Sequence, residues 1–159
     1  VEPNAITYSA AIGACDRGER RENALALLAE MARVEVARDV VVYNVAISAC
    51  EKSGHWQLAL DLIRLLCDDD LAPTLVTYNA AMSNCEKCRE WGRALRLLAE
   101  LRLKRLEPDK ISHGAAISAL EKGQQWHRAL LQLAAVRCEA AEADTVCYSA
   151  AISASALAG

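Results

Sequence analysis

The sequence has no phenylalanine, and its aromatic content is three Trp and four Tyr among 159 residues. Sheets rely on aromatic side chains for many of their cross-strand pairs, so a chain short of rings and rich in Ala and Leu favours close-packed helices. Long apolar runs are absent too: none approaches the roughly 18 residues a membrane span needs, and no membrane partner is expected. The chain opens Val1-Glu2-Pro3-Asn4, without a charged-then-apolar leader or an Arg/Ser-rich amphipathic lead, so no targeting signal is legible. Positive charge is not in excess. Against 21 Asp and Glu stand 18 Lys and Arg, a formal net charge of −3, whereas the footprint of a nucleic-acid binder is usually basic.

Chemistry-bearing constellations are equally scarce. Cys85-Glu86-Lys87-Cys88 is the one Cys-x-x-Cys, and no second pair completes a zinc tetrahedron. His55, His113 and His127 lack the His-x-Glu pattern of the zinc deaminases, and the carboxylates recur with a period instead of converging. These absences argue against an enzyme: no catalytic residue, metal, cofactor or small-molecule substrate is expected.

What the chain does have is one unit written four times. Tyr8, Tyr43, Tyr78 and Tyr148 lie on a grid of 35 residues, with His113 in the vacant slot. A unit this short cannot bury its own apolar face, so neighbouring copies must stack into a quasi-one-dimensional solenoid. With the tyrosine as fourth residue, the repeats run 5–39, 40–74, 75–109 and 110–144, followed by a partial repeat 145–159. Residues 1–4 end a preceding copy, so 1–159 is a single array with further repeats expected on both sides. Pro3, Pro73 and Pro108 sit next to last in a repeat, where a helix cannot continue.

Each repeat divides into two helices. In repeat 2, Val41, Val45, Ile47 and Cys50 recur with Ala46 and Ala49 at helical spacing up to the turn signal Ser53-Gly54, and Gly18 and Gly123 supply that signal elsewhere. The second halves carry Ala24/Leu28/Met31, Ala59/Ile63/Leu66, Ala94/Leu98/Leu101 and Ala129/Leu133/Val136, an amphipathic stripe in every copy. Small residues hold fixed columns of the first helix (Ala11, Ala46, Ala81, Ala116, Ala151, and again Ala14, Ala49, Ala119, Ala154), which lets helices approach closely. Asn84 interrupts the second column and must find a backbone partner or face a groove. Cys15, Cys50 and Cys85 share a column with Leu120, the mark of an apolar core position, and the seven thiols are read as reduced, in an intracellular compartment. The expected fold class is all-α, a right-handed α-solenoid of stacked helix-turn-helix repeats.

Ligand columns should be polar or repetitive without a packing reason. The second residue of each repeat is always β-branched (Ile6, Val41, Val76, Ile111, Val146), although β-branching slightly disfavours a helix. The fifth is polar or tiny: Ser9, Asn44, Asn79, Gly114 and Ser149. The last is Asp39, Thr74, Asp109 and Asp144, with Asn4 closing the copy before the first. That last column reads equally as N-caps for the next helix or as ligand contacts. A cationic ladder, Arg17, Lys52, Lys87 and Lys122, ends the first helices, each member following an acid. It reads as dipole-complementing decoration or as phosphate contacts, one per repeat of a polymer. Trp56, Trp91 and Trp126 precede the apolar stripe as large core residues do, and are read as core in preference to base-stacking platforms.

The stretch Val-Val-Val-Tyr-Asn-Val-Ala-Ile-Ser-Ala-Cys-Glu-Lys-Ser-Gly at Val40–Gly54 resembles the pentatricopeptide repeat. So do the Tyr-Ser or Tyr-Asn pairs, the Ala-Leu of each second helix (Ala24-Leu25, Ala59-Leu60, Ala94-Leu95, Ala129-Leu130) and the ending Pro108-Asp109. The resemblance covers essentially the whole chain. It implies a solenoid that binds single-stranded RNA, one base per repeat, read by two or three side chains. On that reading the β-branched residues sandwich each base while the fifth and last residues read its edge. Asn79 with Asp109 looks like a uracil reader, Ser9 with Asp39 like a purine reader favouring guanine, and Asn44 with Thr74 like a weaker pyrimidine reader. Gly114 with Asp144 departs from the pattern, as does His113, so repeat 4 is expected to be degenerate. Asn4 and Ser149 belong to incomplete pairs. The implied setting is RNA processing, stability or translation in a chloroplast or mitochondrion. The competing reading is a tetratricopeptide-like scaffold holding a protein or peptide, which needs no matched polar pair across the repeat boundary. The acidic, Leu-rich outer helices leave a protein partner on the convex face open.

Overall fold

Helices start where the period restarts. The first helices of the repeats are α1 (Ala5–Arg17), α3 (Val40–Ser53), α5 (Leu75–Lys87), α7 (Lys110–Lys122) and α9 (Thr145–Ala156). The second helices are α2 (Arg21–Arg33), α4 (Trp56–Asp68), α6 (Trp91–Leu103) and α8 (Trp126–Cys138). The structure, a computed structural model, describes residues 4–17, 21–34, 39–138 and 145–156, and among these there is no strand. The fold is all-α, a succession of helix-turn-helix repeats. Pro3, Gly18 and Asp144 lie outside the described residues, as do the side chains of Arg17, Ala24, Leu25, Lys52, Val146 and Ala154.

The turns inside repeats 2 to 4 close alike. The amides of His55, Glu90 and Gln125 donate to the carbonyls of Cys50, Cys85 and Leu120, the long bond of a Schellman motif. Its left-handed residue is Gly54, Arg89 or Gln124 (φ 72°, 61° and 57°). The exits of α4 and α6 use the same device, with Leu71 bonded to Leu66, Leu106 to Leu101, and Asp70 and Arg105 each at φ 58°. Outside Gly54 these places carry a Cβ, at about 1 kcal/mol each. Gly123, read from sequence as the turn residue of repeat 4, has φ −85° and is not the left-handed one. It is held to glycine by close approach instead, since a Cβ there would lie 2.3 Å from Trp91 Cδ1.

The chain forms two compact bodies, Val1–Asn84 and Cys85–Gly159. In the first, α1 packs on α2 and α3, and α3 on α4. Gly13 of α1 faces Ala49 of α3, where a Cβ would sit 3.7 Å from the alanine methyl. Asn84 is buried and donates from Nδ2 to the carbonyls of Ile47 (2.9 Å) and Ala80 (3.1 Å), so the polar break in the alanine column finds backbone partners. Val42, Tyr43, Ala46, Ile47 and Cys50 form the buried face of α3. Val41 and Val45, which share the helical spacing, are exposed and are not core.

Tyr8, Tyr43 and Tyr78 are all buried. A buried phenol needs a hydrogen-bond partner, and for Tyr8 and Tyr43 an acid on the second helix or its exit supplies it. The Tyr8 hydroxyl donates to Glu30 Oε1 at 3.3 Å, and the Tyr43 hydroxyl to Asp69 Oδ2. Burial and the Glu30 carboxylate push the Tyr8 phenol above its ordinary pKa. Two of the acids that make the chain anionic are therefore part of its packing.

In the second body α7 packs against α6, α8 and α9, and α8 against α9. Ile117, Leu120, Ala129, Cys147, Ala150 and Ala151 form a buried cluster, flanked by Trp91, Leu95, Trp126 and Leu133. The Trp91 ring lies close against Gly123, and the Arg128 guanidinium lies 4.6 Å from its ring centroid. Trp91 and Trp126 are thus inter-helix packing residues.

Candidate nucleic-acid interface

The β-branched column is exposed wherever its side chain is described. Ile6 is 77% accessible, Val41 65%, Val76 61% and Ile111 60%. Scattered surface apolar residues need no explanation, but these four recur every 35 residues at one helical position, one residue before a hydroxyl or core residue and two before the buried aromatic. Beside them Ser9 and Asn44 are half-buried, Asn79 and Gly114 buried, and Ser149 exposed. No atom lies within 4 Å of where a Cβ on Gly114 would be, so nothing in the packing compels glycine there.

The closing column caps. Asn4 Oδ1 accepts from the Thr7 amide at 3.0 Å while Thr7 Oγ1 accepts from the Asn4 amide at 3.1 Å. Asp39 Oδ1 accepts from the Val42 amide at 2.9 Å. Thr74 Oγ1 accepts from the Thr77 amide at 3.5 Å while Thr77 Oγ1 accepts from the Thr74 amide at 3.0 Å. Asp109 Oδ1 accepts from the Ser112 amide at 2.8 Å, and the Ser112 hydroxyl oxygen accepts from the Asp109 amide at 3.3 Å. These are N-caps and capping boxes, each worth roughly 1 kcal/mol. Capping also fixes the rotamer of the very side chains that would read a base.

One of the candidate pairs is drawn together inside the first body. The Thr77 hydroxyl donates to Asn44 Oδ1 at 2.6 Å and lies 3.2 Å from Thr74 Oγ1, so it bridges the fifth and last residues of repeat 2. Between Ser9 and Asp39 the place of Thr77 is taken by Val42, which has no hydroxyl to bridge with. Asn79 and Asp109 fall in different bodies, and the partner of Gly114, Asp144, is outside the described residues. Thr77 was missed by sequence reasoning. Its signal was a hydroxyl at the third place of the repeat, in Thr7, Thr77 and Ser112.

The cationic ladder is partly neutralised. Lys122 Nζ lies 2.8 Å from Glu86 Oε1, joining the cation of repeat 4 to the acid of repeat 3, while Lys87 is exposed. In the cysteine column Cys50 and Cys85 are buried and Cys15 half-buried. Burial first, then the neighbouring Cys88 and Glu90, pushes the Cys85 thiol from 9.0 to about 12. A thiol so far from its thiolate is a poor nucleophile and a poor metal ligand. Among the described residues no group of three or more His, Cys, Asp or Glu could hold a metal ion, and no helix is long and apolar enough to cross a membrane.

Two family profiles match: the pentatricopeptide repeat domain over residues 26–88 and the PPR repeat over residues 76–106. Together they take in just over half of the sequence, and the rest repeats at the same period. The chain belongs to the pentatricopeptide repeat family. Among solved structures it is similar to the pentatricopeptide repeat protein PPR10 in complex with an 18-nt psaJ RNA element, at 26% identity and a TM-score of 0.73. A cysteine-substituted form of PPR10 with the same RNA element matches equally. The pentatricopeptide repeat protein PPR10 from maize also matches, at 17% identity and a TM-score of 0.50, a likeness of fold. The alignment to the RNA complex covers 94% of this chain and 22% of the other, so the pentatricopeptide array described here spans about a fifth of its relative's length. No curated protein matches in sequence.

Proposed function

We propose that this chain binds single-stranded RNA, one base per repeat, as part of a longer array acting in organellar RNA processing, stability or translation. The exposed β-branched column carries the reading. An apolar side chain left in water at the same place of each repeat, beside a polar one, suits a ligand that repeats with the protein. Between consecutive members such as Ile6 and Val41, a base offers two flat apolar faces to bury and a hydrogen-bonding edge for the fifth and last residues to read. The complexes of PPR10 with RNA support this by likeness. The proposed base readers are the pairs Ser9/Asp39, Asn44/Thr74, Asn79/Asp109 and Gly114/Asp144, with Arg17, Lys52, Lys87 and Lys122 near the phosphates. Nothing in this arrangement calls for a catalytic step, and the chain is read as a binding scaffold. Leu103 and Leu131, exposed on α6 and α8, favour a protein as a second partner of the outer helices.

Val41→Ser separates binding from folding. The side chain is exposed, so the melting temperature should stay within a degree or two, while affinity for a short single-stranded RNA falls about tenfold, the lower range for one stacked base. Unchanged affinity would contradict the proposal, as would equal binding of the same sequence as a duplex.

A further inference from the structure

We infer that Thr77, the third residue of repeat 3, is a specificity-positioning residue for the base read by repeat 2, because it fixes which end of the Asn44 carboxamide faces the ligand. The inference rests on the RNA-reading function proposed above and adds a residue to it.

Hydrogen counting carries the case. Thr77 is fully buried, and its oxygen accepts the Thr74 amide at 3.0 Å. Its single proton can go to Asn44 at 2.6 Å or to Thr74 Oγ1 at 3.2 Å. A separation of 2.6 Å lies in the range of O–H···O bonds and is short for N–H···O, so the oxygen end of the carboxamide is the end turned to Thr77. A carbonyl oxygen cannot donate, so the Thr77 proton points at Asn44. The proton in the 3.2 Å contact must then come from Thr74. The result is a directed relay in which the Thr74 hydroxyl donates to Thr77 and Thr77 donates to Asn44. Outward, the pair shows a base an amide donor, Asn44 Nδ2, and an acceptor, the remaining lone pair of Thr74 Oγ1. An Asn without this lock could rotate its amide and offer either end at similar energy, which would blur discrimination.

The sequence register extends the idea. Ser112 stands at the same place one repeat after Asn79, while Val42 and Cys147 stand there after Ser9 and Gly114. The two Asn-bearing repeats are the two followed by a hydroxyl.

The test is Thr77→Val in the 159-residue chain, with Thr77→Ser as the conservative control. Valine is tolerated at this place, since Val42 occupies it after the Asp39 cap. Binding is measured by fluorescence anisotropy to four RNAs differing only in the base opposite repeat 2. Thr77→Val should lower the wild-type preference for pyrimidine over purine at that base about tenfold, with Thr77→Ser retaining it and the preference opposite repeat 3 unchanged. In the free protein, Thr77→Val should also shift the Asn44 side-chain amide resonances and speed their solvent exchange. Undiminished discrimination by Thr77→Val overturns the inference, as do unmoved Asn44 resonances. A wild type that binds no RNA overturns the underlying reading instead, and the two failures are told apart by the wild-type arm.

Discussion

On the proposed reading, Gly114 leaves repeat 4 without a side chain to read a base, and the packing around it does not require glycine. The glycine leaves an open volume where neighbouring repeats place Ser or Asn. Gly114→Asn should therefore fold with unchanged or slightly higher melting temperature, because glycine is the poorer helix former. It should also create discrimination of about fivefold at the base opposite repeat 4, the worth of one net hydrogen bond. A fall in stability would mean the site is less open than its geometry shows. Cys85 makes the complementary point about a core position that looks chemical. Its folded thiol titrates near 12 against 9.0 for an ordinary one, so the neutral form is favoured by folding. The stability this contributes is whole below pH 9 and is lost as pH rises toward 12. Native labelling with iodoacetamide at pH 8, read by mass spectrometry, should modify the exposed Cys67 and leave Cys85 untouched until the chain unfolds.

At the scale of the element, the repeat was legible because period, proline placement and apolar spacing all depend on local sequence. What escaped depends on partners brought in by folding. The tyrosine column announced itself by position, but its acceptors Glu30 and Asp69 sit at different places in their repeats, and no spacing rule marks them. The turns were found, yet their left-handed residues are Arg89 and Gln124 as readily as Gly54, because the Schellman bonds of the flanking helix ends hold the conformation. Gly123 looked like a turn glycine and is a packing glycine. These assignments predict opposite outcomes for two adjacent substitutions in denaturant unfolding. Gln124→Gly should stabilise the chain by about 1 kcal/mol by relieving the left-handed Cβ. Gly123→Ala should destabilise it by about 1–3 kcal/mol by overpacking against Trp91. The closing column could not be resolved from sequence, since an Asp or Thr there suits both a cap and a base. In Asn4, Asp39, Thr74 and Asp109 the cap is present, so the proposed base reading would be a second task for the same side chains.

For the whole molecule, an anionic RNA binder is consistent if charge is segregated. Glu30 and Asp69 are engaged by buried phenols, Glu86 by Lys122, and the exposed apolar column lies on first helices where no acid precedes the repeat's fifth residue. Affinity should then come from stacking and edge recognition more than from phosphates, and specificity should be readable base by base. Fluorescence anisotropy at low salt, with single-stranded RNAs carrying U or G opposite repeat 3, tests that most directly. A preference for U that reverses toward G in Asn79→Thr is the predicted result. Equal binding of both RNAs by wild type and variant would contradict base reading by the Asn79/Asp109 pair.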